Sequence, residues 1–209
     1  MVNLRHYLVV FALPFLAACA SVQPSLEGSV KPEQPKEEPA LIQALPETIE
    51  TFEYENYRQF EDGVEGLQLR YSNPRKRRLA NVYIYPVAEK NKSLEHDQLV
   101  LGSTRATMQA LGEAVKQGYY ANFNLVDAAT KAQGVRTVAR VQATYLQQNL
   151  ASYTLVYQTE FEGTFLKIRF TMPDNESNRK SAEWDQFADQ MFKLIVKDLK
   201  SEALLTSSL

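Results

Sequence analysis

The nine residues Thr164–Met172, TFLKIRFTM, alternate strictly. Leu166, Ile168, Phe170 and Met172 fall on one side, and Lys167, Arg169 and Thr171 on the other. Successive side chains of a β-strand point to opposite faces, so this spelling predicts a strand with one dry face and one wetter face. Such a strand needs paired neighbours and a cover for its apolar side. Two further strand-like stretches precede it, VRTVARVQATYL and SYTLVYQTEFEG, with Glu162-Gly163 as a tight hairpin turn and residues 148–151 as the earlier connection. Together they predict an antiparallel meander.

The first half of the folded region reads similarly. TFEYENYRQF, GLQLRYSN and LANVYIYPV are short and rich in Tyr and branched residues, separated by Asp62-Gly63 and Asn73-Pro74, and they predict three more strands. FNLVDA, from Phe123, is a shorter strand candidate. Between the two groups, Leu94, Leu101, Met108, Leu111 and Val115 recur at helical spacing, predicting a helix that starts at Ser93 and stops at Gly118. Gly102-Ser103 is a candidate break in it. A terminal helix carries Trp184, Phe187, Met191, Leu194, Ile195 and Leu199 on one stripe, with Asp185 in its first turn and Lys200 in its last. The expected fold class is α+β: an antiparallel sheet of about six strands covered by two helices, in a single domain over residues 52–209.

What lies before residue 52 predicts location. Arg5 and an apolar run from Leu8 to Leu16 precede Leu16-Ala17-Ala18-Cys19, and Cys19 is the only cysteine of the chain. The run is too short to span a bilayer, which takes about 20 apolar residues, and suits a cleaved leader. The tetrapeptide resembles the bacterial lipobox. That resemblance implies a signal peptide over residues 1–18, a diacylglyceryl group on the Cys19 sulfur and fatty acylation such as palmitate on the new amino terminus. More than one chain on one residue makes a stable anchor. Ala20 in the next position resembles the signal for the outer membrane, implying its periplasmic face. Residues 19–51 are rich in proline and glutamate and free of aromatic residues before Phe52, so a disordered tether is expected, and a short helix near Leu41–Leu45 docked on the domain is the alternative. Some 30 residues of such chain span about 30 Å as a coil.

Composition narrows the function classes. Net charge is −2, which gives no general attraction to nucleic acid. With Cys19 lipidated, no thiol is left for a disulfide. His96 is the only histidine outside the leader, so a nucleophile–histidine triad has one candidate base, and SLEHDQ predicts it on an exposed first helical turn. No P-loop, Rossmann fingerprint or metal-ligand spacing is present, and no cofactor is expected.

The order of β-hairpins, long helix, meander and terminal helix, with EDGVEGLQLRYSN, ANVYIYPV and a helix ending in KQGYY, resembles the PsbP-like α/β/α sandwich. The resemblance covers residues 52–203 and rests on turns and core alternation. It implies an accessory or binding factor without catalysis, and it transfers no functional residue.

Three sets of residues are candidates for contact or chemistry. Arg75, Lys76, Arg77 and Arg78 crowd one turn and would grip anionic phosphates at a membrane, with a solvated hairpin tip as the alternative. Tyr83 and Tyr85 share one strand face, suited to partner contact or to packing beneath the helices. The carboxylate pairs Glu61-Asp62 and Glu160/Glu162 are the candidates for glycosidase-type hydrolysis. The expectation is a lipid-anchored envelope protein that binds another envelope protein or peptidoglycan. An envelope hydrolase using paired carboxylates is the alternative.

Overall fold

A computed structural model describes residues 39–60, 66–133 and 136–206. Cys19, Glu61 and Asp62, together with the leader and most of the expected tether, lie outside them. Eight strands form one antiparallel sheet in the order β1-β2-β3-β4-β8-β7-β6-β5. They are β1 (Thr48–Ile49), β2 (Phe52–Gln59), β3 (Leu67–Asn73), β4 (Arg78–Pro86), β5 (Ala121–Gln133), β6 (Arg136–Gln147), β7 (Leu150–Phe161) and β8 (Thr164–Pro173). Among the described residues four α-helices accompany them: α1 (Ala40–Gln43), α2 (His96–Lys116), α3 (Glu176–Lys180) and α4 (Glu183–Thr206). The sheet is thus two meanders, β1–β4 and β5–β8, sealed along β4 and β8, and α2 carries the chain from one to the far edge of the other.

The alternation read in TFLKIRFTM is realised. Leu166, Ile168, Phe170 and Met172 are buried, and Phe165, Lys167, Arg169 and Thr171 are half-buried. The dry face meets α4, whose Trp184, Phe187, Met191 and Ile195 pack with Phe52, Leu69, Tyr71, Val82, Leu155 and Phe170 in one core. Phe52 centres an aromatic cluster, with ring centroids 5.1 Å from Phe187, 5.8 Å from Trp184 and 5.9 Å from Phe170. On the opposite face, Leu111 and Ala114 of α2 pack with Tyr120 and Tyr145. β7 lies between both covers, so residues 153–160 are all buried and no alternation survives in its burial.

The sheet has more strands than the six or so expected, and one reason is physical. β1 is two residues long, too short to show a period. It belongs to a larger departure. Leu41, Ile42 and Ile49 are buried in the α4-side core, so the folded unit reaches back to α1 rather than starting at residue 52. The chain there is held by Tyr54 N–H donating to Glu47 O (2.7 Å) and Tyr71 Oη–H donating to Pro46 O (3.1 Å). A few apolar residues inside a proline-rich segment suffice once the remaining core provides the slot.

α2 begins at His96 and is not divided at Gly102-Ser103. Its first turn is closed by a capping box in which Glu95 and Gln98 each bond the other's backbone. The Ser103 hydroxyl serves the tertiary interface instead, donating to Gln158 Oε1 at 3.0 Å. Thr107 donates to the same oxygen (3.2 Å), and Gln158 Nε2 donates to Thr104 Oγ1 (3.0 Å). A buried amide on β7 is thereby satisfied wholly by small hydroxyl residues of the helix.

Candidate functional site

The basic turn is built by Asn73-Pro74. Asn73 Oδ1 accepts from Lys76 N at 3.1 Å and Pro74 opens a single 3-10 turn over Pro74–Lys76. Arg77 then takes the left-handed conformation at φ +54° to re-enter the sheet. Arg75, Lys76 and Arg77 are exposed, and Lys76 Nζ stands 3.9 Å from Glu183. Arg78 does not join them. It is 6% exposed, with its Cζ 4.6 Å from the centre of the Trp184 ring. Its Nε and Nη2 donate to Asn178 Oδ1 at 3.0 and 2.6 Å, and Nη1 donates to Glu183. Asn178 O in turn accepts from Trp184 Nε1 at 2.7 Å. The four-cation turn is therefore a three-cation turn with one structural arginine beneath it. Strand parity carried that signal: Arg78 is in phase with Ala80, Val82 and Ile84, the face that meets α4.

Glu183 is the acid of this cluster. Burial pushes its carboxyl up, but the Thr51 hydroxyl and the Arg78 and Lys76 charges outweigh burial and hold it below the usual carboxylate range.

Tyr83 and Tyr85 point to the α2 side, as parity requires, but neither is an open ring. Tyr83 is 8% exposed, stacked with Phe60 at 6.5 Å and covered by Lys167, whose Nζ lies 5.6 Å from the ring centre. Tyr85 is half-buried, 5.3 Å from the Phe165 ring, with its hydroxyl 3.4 Å from Ser103 Oγ. Burial pushes the Tyr85 phenol up, against a smaller pull downward from the Ser103 bond. Tyr85 thus packs where the sheet meets α2, and Tyr83 packs between Phe60 and Lys167.

His96 departs from expectation. Rather than standing in solvent, it bridges two strands. Thr137 N–H donates to Nε2 at 3.0 Å, which assigns the ring proton to Nδ1, and Nδ1–H donates to Glu160 Oε2 at 2.9 Å. Glu160 Oε1 accepts from Gly163 N at 2.6 Å, while Glu162 is exposed in the hairpin turn at φ +47°. Beside it Thr137 Oγ1 donates to Asp97 Oδ1 at 2.5 Å. Glu160 thus serves the fold, and Glu160 and Glu162 are not brought together as a facing pair. The sequence signal was again parity, since Glu160 follows Gln158 on the strand face that meets α2.

An arginine–tyrosine cluster escaped the sequence reading. Arg169 Nη2 donates to Tyr120 Oη (2.8 Å) and Tyr145 Oη (3.3 Å), and the two tyrosine rings lie 4.2 Å apart. It sits where the chain leaves α2, and the KQGYY ending supplies its first tyrosine. Among the described residues no group of three or more His, Cys, Asp or Glu is placed to hold a metal ion. No helix among them is long and apolar enough to cross a membrane.

No family model matches the chain, and no curated protein matches it. Among solved structures it is similar to the cyanobacterial PsbP protein CyanoP from Synechocystis sp. PCC 6803, with a TM-score of 0.47 and 12% identity over 67% of this chain and 85% of that one. It is also similar to a protein of unknown function, PA94, from Pseudomonas aeruginosa, with a TM-score of 0.37 and 11% identity over 68% of this chain and 83% of that one.

Proposed function

We propose that this chain is a cell-envelope lipoprotein, anchored through Cys19 at the periplasmic face of the outer membrane, that acts by binding another envelope protein or peptidoglycan. The observation that carries the binding reading is where the ionisable side chains go. His96, Glu160, Arg78 and Glu183 all join one element to another, whereas Arg75 and Arg77 face solvent on a turn fixed by Asn73 and Pro74. Fixed charges on a rigid turn suit recognition, because little side-chain and backbone ordering remains to be done on binding.

The test has two parts. Cells expressing the full chain are grown with radiolabelled palmitate, alongside the Cys19→Ala variant. Label on the parent and none on the variant is expected. A parent without label overturns the anchor. A photo-crosslinking residue at position 75 or 77 is then expected to capture one envelope protein or peptidoglycan, and capture of neither overturns the binding role.

A further inference from the structure

The two edges of the sheet are unlike. β1 is two residues long and ends one edge bluntly. β5 closes the other with thirteen residues, bonded to β6 on one side only. From Ala121 to Lys131 every residue except Phe123 is exposed, so among the described residues nothing covers either face of β5 beyond Phe123. Bulges interrupt its first half, but from Asp127, opposite Gln142, to Gln133, opposite Arg136, the register is unbroken. No proline interrupts it. An edge of this length and regularity is a template for another strand.

We propose that a second copy of this chain occupies it, β5 against β5 in antiparallel pairing about a twofold axis at Ala129, so that two eight-stranded sheets continue into one. The charges select the partner and the register. Asp127 and Lys131 are the only charged residues of β5. Residues directly opposite in an antiparallel pair share a face, and an axis at Ala129 sets each Asp127 opposite the other copy's Lys131, twice. An edge lysine ordinarily discourages strand pairing. Here the aspartate four residues before it makes the strand complementary to itself. Ala128, Ala129 and Thr130 between them are small and hold nothing apart. Moving the axis to Ala128 or Thr130 leaves both charges opposite uncharged residues, and moving it to 127 or 131 sets like charges face to face. The contact is isologous and closes at two copies. It does not depend on lipid attachment or on the basic turn.

The full chain carrying Cys19→Ser, purified in detergent, is suited to sedimentation equilibrium, because any thiol then introduced is unique. A dimer is expected. Asp127→Lys and Lys131→Asp each convert two attractions into two repulsions, and each is expected to weaken association about tenfold or more. The double variant Asp127→Lys/Lys131→Asp is expected to recover it. Ala129→Cys is expected to form an intercopy disulfide under mild oxidant, and Thr130→Cys is not, since only the axial pair meets within disulfide reach. The altered side chains are exposed, so thermal melts monitored by circular dichroism should match the parent and separate lost association from lost folding. A parent that remains monomeric at its highest soluble concentration overturns the proposal. So does a dimer indifferent to both single charge reversals, or one that crosslinks at 130 instead of 129.

Discussion

Arg78 shows how one residue changes role with one step of strand phase. Its neighbours Arg75 and Arg77 are exposed, while its own guanidinium is enclosed by Trp184, Asn178 and Glu183. Removing one partner of such a pair leaves the other charge buried, which costs about 3–5 kcal/mol. Arg78→Ala is therefore expected to lower stability by about 3 kcal/mol in urea denaturation. Reversal of Arg75 and Arg77 to Glu, which leaves Lys76 beside Glu183, should leave the midpoint nearly unchanged. The binding readout reverses the order. If the turn grips anionic phosphates, the same double reversal in a form lacking Cys19 should weaken partition onto phosphatidylglycerol vesicles, with each cation worth about 1 kcal/mol. A milder Arg78→Met should not. Glu183 adds a pH signature. Its folded pKa lies below its unfolded value, so the stability it contributes is complete above the ordinary carboxylate range and is lost as pH falls through the lower, folded value. The midpoint difference between the parent and Glu183→Gln should thus be largest near neutrality and shrink in acid. A constant difference across pH would show that the charge on Glu183 contributes nothing. The charge run was legible in the sequence, and its division was equally written in the Arg78, Ala80, Val82, Ile84 phase. What remained illegible was the partner: Asn178 and Glu183 lie 100 and 105 residues away, beyond any local pattern.

Among elements, the strands with one dry face were the most legible and the doubly covered or uncovered ones the least. β8 declared itself by alternation. In β7, apolar and polar residues are buried alike because α2 brings hydroxyls to Gln158. Of β5 only FNLVDA was recognisable, because the rest is Ala, Asn, Thr, Lys and Gln with no face to hide. Near residues 41–45 it is the alternative to a disordered tether, a short docked helix, that the structure shows, but β1 beside it had no periodic signal at all. Ile49 is 1% exposed, so Ile49→Ala is expected to cost about 2–4 kcal/mol despite lying in a segment with the composition of a linker. His96 clips α2 to β6 and β7 by two hydrogen bonds. Replacing it with Leu leaves the Thr137 amide and one oxygen of Glu160 without their bonds and should cost about 1–3 kcal/mol. Hydrogen exchange would report the loss as faster exchange at Thr137 and at the start of α2, with α4 unaffected.

At the scale of the molecule, the two cores share one sheet, and β7 gives Tyr153, Leu155 and Tyr157 to the α4-side core while its Gln158 bonds to α2. Unfolding should therefore be a single transition by near-ultraviolet and far-ultraviolet circular dichroism. Limited proteolysis gives the boundary. If α1 and β1 belong to the folded unit, a resistant fragment should begin close to Pro39, and a fragment beginning near Phe52 would return both elements to the linker. The α+β class and the two covering helices were legible because they depend only on the order of periodic segments. The extent of the folded unit was not, because Leu41, Ile42 and Ile49 find their places only once Phe52, Tyr71 and α4 have formed theirs.

The order of the strands has a further geometric consequence. The chain enters the domain beside β1, and β5 is the last of eight strands in the order, so seven interstrand steps, about 33 Å, lie between the point of entry and the bare rim. Anything that grasps the amino-terminal segment holds the molecule by one pole and turns the opposite pole outward.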